Sequence, residues 1–250
     1  MYSKVLVLAL LGTILSACSG DVDLSNSGLP ALKLPSVAPS ELQILVVGGT
    51  KGVGLETVKL ALARGHEVTA MSRSPQKMTY SHKRLTKLRG DILDFNSLDK
   101  AVSGKDAVVI AIGAGPTRKP VTVFSEGTAN TLKSMSNQKV RRMVAVTGIG
   151  AGDSRGHGGF FYDKILQPLL LSTIYQDKDI AEKLIAQSTS QWTIVRPGFL
   201  TDETSATNYR VIEDMSGITS GDISRSDVAH FILSSVELES YLNATVLISN

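Results

Sequence analysis

Glycines spaced Gly48-x-x-x-Gly52-x-Gly54, inside the stretch Val46 to Gly54, are suited to one kind of chemistry. A pyrophosphate binds against bare backbone N–H groups at a helix N-terminus, where partial positive charge collects, and a Cβ there would hold it away. The flanks supply the rest of such a site. Leu42 to Val47 is a short, β-branched, apolar run that suits a strand buried on both faces. Leu55, Val58, Ala61 and Leu62 then recur at helical spacing up to Arg64-Gly65, where glycine can cap a helix C-terminus. An ordinary tight turn also accepts glycines. Context argues for a ligand, because the motif follows a strand, opens a helix and is followed about twenty residues on by another strand. Thr50, Lys51 and Val53 complete the turn that would meet the phosphates.

A second group of residues bears on which dinucleotide fits. The next strand-like segment, Glu67 to Met71, runs into Ser72-Arg73, and no Asp or Glu occurs from Val68 to Gly90. A site for NAD(H) places a carboxylate here to hold both ribose hydroxyls, and that carboxylate would repel a 2′-phosphate. Arg73 offers a guanidinium instead and Ser72 a hydroxyl, with Lys77 close in sequence, so NADP(H) is expected in preference to NAD(H). Lys83, Arg84, Lys87 and Arg89 share the acid-free stretch, either as a solvated basic face or as an attraction for polyphosphate or anionic membrane.

The elements that must position these groups alternate to the end of the chain. Strand-like segments are Leu85 to Arg89, Ala107 to Ile112, Arg141 to Val146, Trp192 to Arg196 and Ala244 to Ile248. Helical patterns cover Phe95 to Val102, Thr122 to Ser136, Asp177 to Gln187 and Ser226 to Ser235. Such alternation predicts an α/β fold with a single doubly wound, Rossmann-like domain over 42–250, its ligands in the crevice at the carboxyl edge of a parallel sheet. The glycine-rich run Gly148 to Gly159 reads either as a flap over that site or as a plain flexible loop.

Residues 1–17 carry Lys4, an apolar run from Val5 to Leu15 and then small residues, the layout of a secretory signal; a spanning helix would need about twenty apolar residues. Leu15-Ser16-Ala17-Cys18 resembles the lipobox of bacterial lipoproteins, which implies that Cys18, the chain's single cysteine, is lipidated. Residues 18–41 then form a Ser- and Pro-rich tether. The expected location is the cell envelope, with a lipid anchor in a bacterial membrane, or the cytoplasm if the start of the reading frame is misassigned. At a formal net charge of +3 over 250 residues, the composition offers no ground for nucleic-acid binding. His66, His82, His157 and His230 lack metal-ligand spacing and no Gly-x-Ser-x-Gly elbow occurs, so neither a metal site nor a serine hydrolase is expected.

Further segments fall in the order and spacing of a known family: Ser72-Arg73, Gly90-Asp91, Ala111-Ile112-Gly113, Val146-Thr147-Gly148 and Trp192 to Gly198. With the glycine turn, they make residues 42 to 249 resemble the atypical short-chain dehydrogenase/reductases, the NmrA-like and biliverdin-reductase-B-like NAD(P)H-binding proteins. The resemblance implies that Gly90-Asp91 and Gly113 border the adenine, that Ile92, Ala111 and Ile112 belong to the same cofactor site, and that Arg196-Pro197-Gly198 lies near the nicotinamide. It also brings out a departure. Most of the wider superfamily uses a Tyr-x-x-x-Lys dyad, a phenol that passes a proton and a lysine that lowers its pKa and holds the ribose. Lys178 matches the lysine, but Ile174 stands at the tyrosine position and Tyr175 is one residue out of register, a turn of about 100° on a helix. Thr147 and Tyr162 are further candidate hydroxyls for catalysis beside Lys178. The expected activity is NADP(H)-dependent reduction of a small carbonyl, quinone or flavin-like acceptor. The alternative is a membrane-anchored NADP(H)-binding sensor or scaffold that turns nothing over.

Overall fold

A computed structural model of the chain describes residues 29–30, 40–203 and 207–250. The predicted signal sequence, Cys18 and most of the predicted tether lie outside these residues. After a two-residue β1 (Leu29–Pro30), each apolar run becomes a strand: β2 (Gln43–Val47), β3 (Glu67–Ser72), β4 (Leu85–Arg89), β5 (Ala107–Ile110), β6 (Arg142–Val146) and β7 (Gln191–Pro197). Then follow β8 (Phe199–Thr201), β9 (Arg210–Ile212), β10 (Asp222–Ser224) and β11 (Ala244–Ser249). The helices are α1 (Gly52–Ala63), α2 (Phe95–Val102), α3 (Ser125–Gln138), α4 (Ser172–Ala186) and α5 (Arg225–Glu237).

The main sheet runs β1-β9-β11-β7-β6-β5-β2-β3-β4, and β2 to β7 with β11 are parallel. From β2 the chain first builds outward through β3 and β4 and then crosses to β5 on the other side. That reversal opens a crevice above the carboxyl ends of β2 and β5, the place where doubly wound sheets bind ligands. Register fixes what meets there. Val47 pairs with Met71 on one side and Ile110 on the other, so Gly48, Ser72 and Ala111 emerge side by side.

Strand side chains alternate faces, and the two faces have different covers. Ile44 and Val46 pack with Val58 and Leu62 of α1 and Phe231 and Ile232 of α5. Leu45 and Val47 pack with Leu98 of α2, Met135 of α3 and Ile185 of α4. Caps set two of the helix starts: Asp94 accepts from the N–H groups of Asn96 and Ser97, and Ser224 from that of Asp227. Behind α1, His66 is fully buried at the helix-to-strand turn. Its Nδ1 accepts from the Leu42 N–H at 3.2 Å, so Nε2 carries the proton and donates to Glu237 at 2.8 Å, tying the start of β2 to the end of α5.

The structure departs from the sequence expectation in three places. A short antiparallel edge forms: β9 lies against β11, and β1, inside the predicted tether, pairs with β9. Strand β9 would otherwise offer an unpaired edge. Next, β8 and β10 form a small separate parallel pair. Finally, a wide π-type helix over Tyr162–Leu171 precedes α4, which begins at Ser172, five residues ahead of the expected Asp177. No described helix is long and apolar enough to cross a membrane.

Candidate functional site

The glycine turn is built as a cradle. Gly48 has φ +87°, and a Cβ on it would lie 2.5 Å from the Ala111 carbonyl oxygen; a Cβ on Gly54 would overlap the Gly48 carbonyl. Both glycines are demanded by backbone crowding, which brings turn and helix start close together. Helix α1 begins with no side-chain cap and no acid in its first turn, leaving its first N–H groups to a ligand. Val53 is buried in the core and offers only its backbone, while Lys51 is exposed and Thr50 half-buried at the turn. Arg225, at the start of α5, comes within 3.9 Å of the Cβ position of Gly52 and pairs with Asp202 at 2.7 Å.

Beside the cradle, a cleft of about 420 Å³ is lined by Arg73, Arg89, Gly90, Asp91, Asp94 and Ser97. Ser72 pairs with Arg89 across the β3–β4 ladder, and its buried Oγ has no hydrogen-bond partner. The two acids are engaged by backbone: Asp94 caps α2 and Asp91 accepts from the Leu93 N–H at 3.1 Å. Other basics of the acid-free stretch have structural work, since Arg84 pairs with Glu41 and Lys87 donates to the Met78 carbonyl. Among the described residues neither Arg73 nor Arg89 makes an ion pair.

Across the crevice, the carboxyl end of β6 meets α4. Lys178 Nζ donates to the Thr147 carbonyl at 2.6 Å and stands 4.7 Å from the Tyr175 ring centre. Burial lowers its pKa to about 8, with Glu182 opposing the shift. A Cβ on Gly148 would lie 3.2 Å from the Tyr175 hydroxyl and 3.6 Å from Lys178 Nζ, so both head groups converge on one point. Tyr175, although one residue out of the Tyr-x-x-x-Lys register, therefore still stands beside Lys178. Positions three apart share a helix face as well as positions four apart do. Ile174, at the usual tyrosine position, is buried with Phe124 and Ala181.

Tyr162 backs this pair. Its hydroxyl stands 2.7 Å from that of Tyr175 and 3.0 Å from the Ile149 carbonyl. Burial raises the pKa of both phenols, so each holds its proton at neutral pH. The Ile149 carbonyl can only accept, so the single Tyr162 proton goes there and the Tyr175 O–H donates to the Tyr162 oxygen. Thr147 Oγ1 is engaged elsewhere, donating to Glu182 at 2.6 Å. Glu182 in turn binds Arg196 at 2.6 Å, and Arg196 also meets Asp153. Burial alone would lower the Arg196 pKa, but Glu182 and Asp153 outweigh it and raise it.

The remaining residues expected to border the cofactor lie around the crevice. The Ile92 side chain is buried, and its carbonyl accepts from Asn130 Nδ2 at 3.1 Å. Ala111 and Ile112 are half-buried beside the turn, with Gly113 exposed after them. The Pro197 carbonyl accepts from Ile149 N–H, and Gly198 donates to Ile248 and needs its bare Cα because the Gly221 carbonyl lies against it. The run Gly148 to Gly159 is a packed loop, held by Ser154 Oγ to Gly150 N–H, Gln167 to the Gly150 carbonyl and Asp179 to Gly152 N–H. Among the described residues no cluster of His, Cys, Asp and Glu could hold a metal.

Comparison with known proteins agrees with this geometry. The profile of a family described as NAD(P)H-binding matches residues 48–239, and the chain belongs to that family. The photosystem II assembly factor Ycf39 of Synechocystis is 26% identical over 214 residues, a match covering 82% of this chain but only 61% of that protein. Among solved structures, the oxidoreductase YlbE of Lactococcus lactis superposes with a TM-score of 0.72 at 19% identity, covering 84% of this chain and 91% of that one. A short-chain dehydrogenase/reductase of Veillonella parvula, solved with NADP, superposes at 0.70 with 17% identity, covering 84% and 94%.

Proposed function

We propose that the protein is an NADP(H)-dependent reductase of a small carbonyl, quinone or flavin-like acceptor, held at a membrane by a lipid on Cys18. The bare cradle at Gly48 and Gly54 and the uncapped start of α1 fit a dinucleotide phosphate backbone. Arg73 and Arg89, which line the cleft, would hold a 2′-phosphate, and the NADP bound by the Veillonella protein is in keeping with that choice. The cofactor supplies a hydride. This chain's residues supply the proton and the positioning: Lys178 holds a ribose hydroxyl, and Tyr175 turns its proton from the Tyr162 oxygen to the acceptor.

The observation that carries the reading is the convergence of Tyr175 and Lys178 on Gly148. It restores a phenol–lysine pair that the sequence pattern lacks. NADPH oxidation against a panel of quinones, flavins and aldehydes tests it. Tyr175→Phe and Lys178→Ala should each slow turnover about tenfold or more, about 1.4 kcal/mol. The buried Ile174 favours a second reading, a sensor or scaffold; NADPH binding without turnover of any acceptor would select it.

A further inference from the structure

Beyond this activity, the outer side of the π-type helix carries unexplained surface. Its inner side is accounted for, since Tyr162 and Gln167 are buried against the loop that follows β6. Phe160 is 79% exposed and Phe161 62%, and Ile165, Leu169 and Leu170 are 39%, 55% and 40% exposed. Five large apolar side chains on one short segment exceed the scattered exposure normal for a soluble surface. The spacing explains the grouping. In a wide helix bonded over five residues, Phe160, Ile165 and Leu170 recur at the same interval as the buried Tyr162 and Gln167.

Cations flank this ridge. Lys164 lies within it and is exposed, and Arg118 is tied to its far end by an Nε bond to the Leu169 carbonyl at 3.0 Å, with exposed Lys119 beside it. The one carboxylate within Phe160–Leu171, Asp163, is half-buried and accepts from the Gly158 N–H at 3.3 Å. We propose that this face docks on an anionic lipid surface, the apolar ridge entering the headgroup boundary and Lys164, Arg118 and Lys119 meeting lipid phosphates. The two phenylalanines protrude, as insertion among acyl chains requires.

The path of the chain agrees with that orientation. Pro30 pairs with Arg210, which pairs with Ser249 at the carboxyl end of β11, so Pro30 lies at the sheet edge from which the ridge follows β6. From Cys18 to Leu29 the backbone can reach at most about 36–40 Å. An anchor at Cys18 would keep the domain within that reach of the bilayer, and the docking face itself does not depend on lipidation.

A reporter in the full chain separates the face from the N-terminal segment. Phe161→Trp, made in a Cys18→Ser background, places an indole on the ridge, and the native Trp192 is buried and gives a constant background. With vesicles of brominated phosphatidylglycerol, the emission of the introduced indole should shift blue and be quenched, and high salt should weaken the effect. Lys164→Ser and Arg118→Ser should each weaken vesicle binding at this face by about fivefold, and Phe160→Ser should abolish the quenching while NADPH affinity is unchanged. Absence of quenching, or equal quenching by uncharged vesicles, overturns the proposal. A blue shift that grows with protein concentration without vesicles would assign the face to a second copy and overturn it equally.

Discussion

Lys178 carries the clearest pH signature at the scale of single residues. With its pKa lowered to about 8 by burial, it is an ammonium below that pH and an amine above it. A group that holds the ribose as a cation therefore loses its effect as pH rises, and kcat/KM for NADPH should fall along a basic limb centred near pH 8. Lys178→Arg keeps its charge and should move that limb upward; a pH profile of both proteins checks it. In the proposed site Arg73 and Arg89 would decide the choice of cofactor. Arg73→Ala should weaken NADPH about ten- to a hundredfold, since a charged hydrogen bond is worth about 1.5–3 kcal/mol, and leave NADH nearly unchanged. Arg89→Ala should act in the same direction, and calorimetric titration of both cofactors reads the difference. Arg73 was legible from its place after a strand with no acid nearby. Arg89 was not, because only the β3–β4 pairing brings the two strand ends to one cleft.

At the scale of elements, the buried Arg196–Glu182 pair joins β7 to α4 and, through Asp153, to the loop after β6. Removing one partner of a buried pair strands the other charge, which typically costs 3–5 kcal/mol. Glu182→Ala should therefore lower the melting temperature by roughly 10 °C, and calorimetry should see a smaller fall for Asp153→Ala, whose side chain is 81% exposed. The strands from β2 to β7 and helices α1 and α2 could be read in advance, because long apolar runs and capped or glycine-ended helices leave strong local signals. The three-residue strands β8, β9 and β10 left none, being specified by pairing partners far along the chain. The Tyr162–Leu171 helix escaped because Pro168 and its five-residue spacing break the ordinary helical period. That omission also hid the convergence of Tyr162 with Tyr175. A register argument on α4 alone could not supply the second phenol.

For the whole molecule, a proposed lipid anchor and the proposed NADP(H) chemistry pull toward different places. A chain exported through the general secretory route crosses unfolded and without cofactor, and NADP(H) outside the cytoplasm is expected to be scarce. The anchor argument rests on residues: Leu15-Ser16-Ala17-Cys18 directly follows the apolar run, and no other cysteine exists with which Cys18 could form a disulfide within the chain. One acyl chain gives only marginal, reversible attachment, whereas two on a single cysteine hold stably, so lipidation at Cys18 alone would keep the domain on its membrane. Cys18→Ser should then move the protein from the membrane fraction of its native cells to the soluble fraction, or leave an unprocessed precursor. Mass spectrometry of the protein purified from those cells should find a diacylated cysteine as the first residue, and in the same sample would identify any bound dinucleotide. An unmodified Met1 on protein from the membrane-free fraction would instead place the chain, and its reductase chemistry, in the cytoplasm.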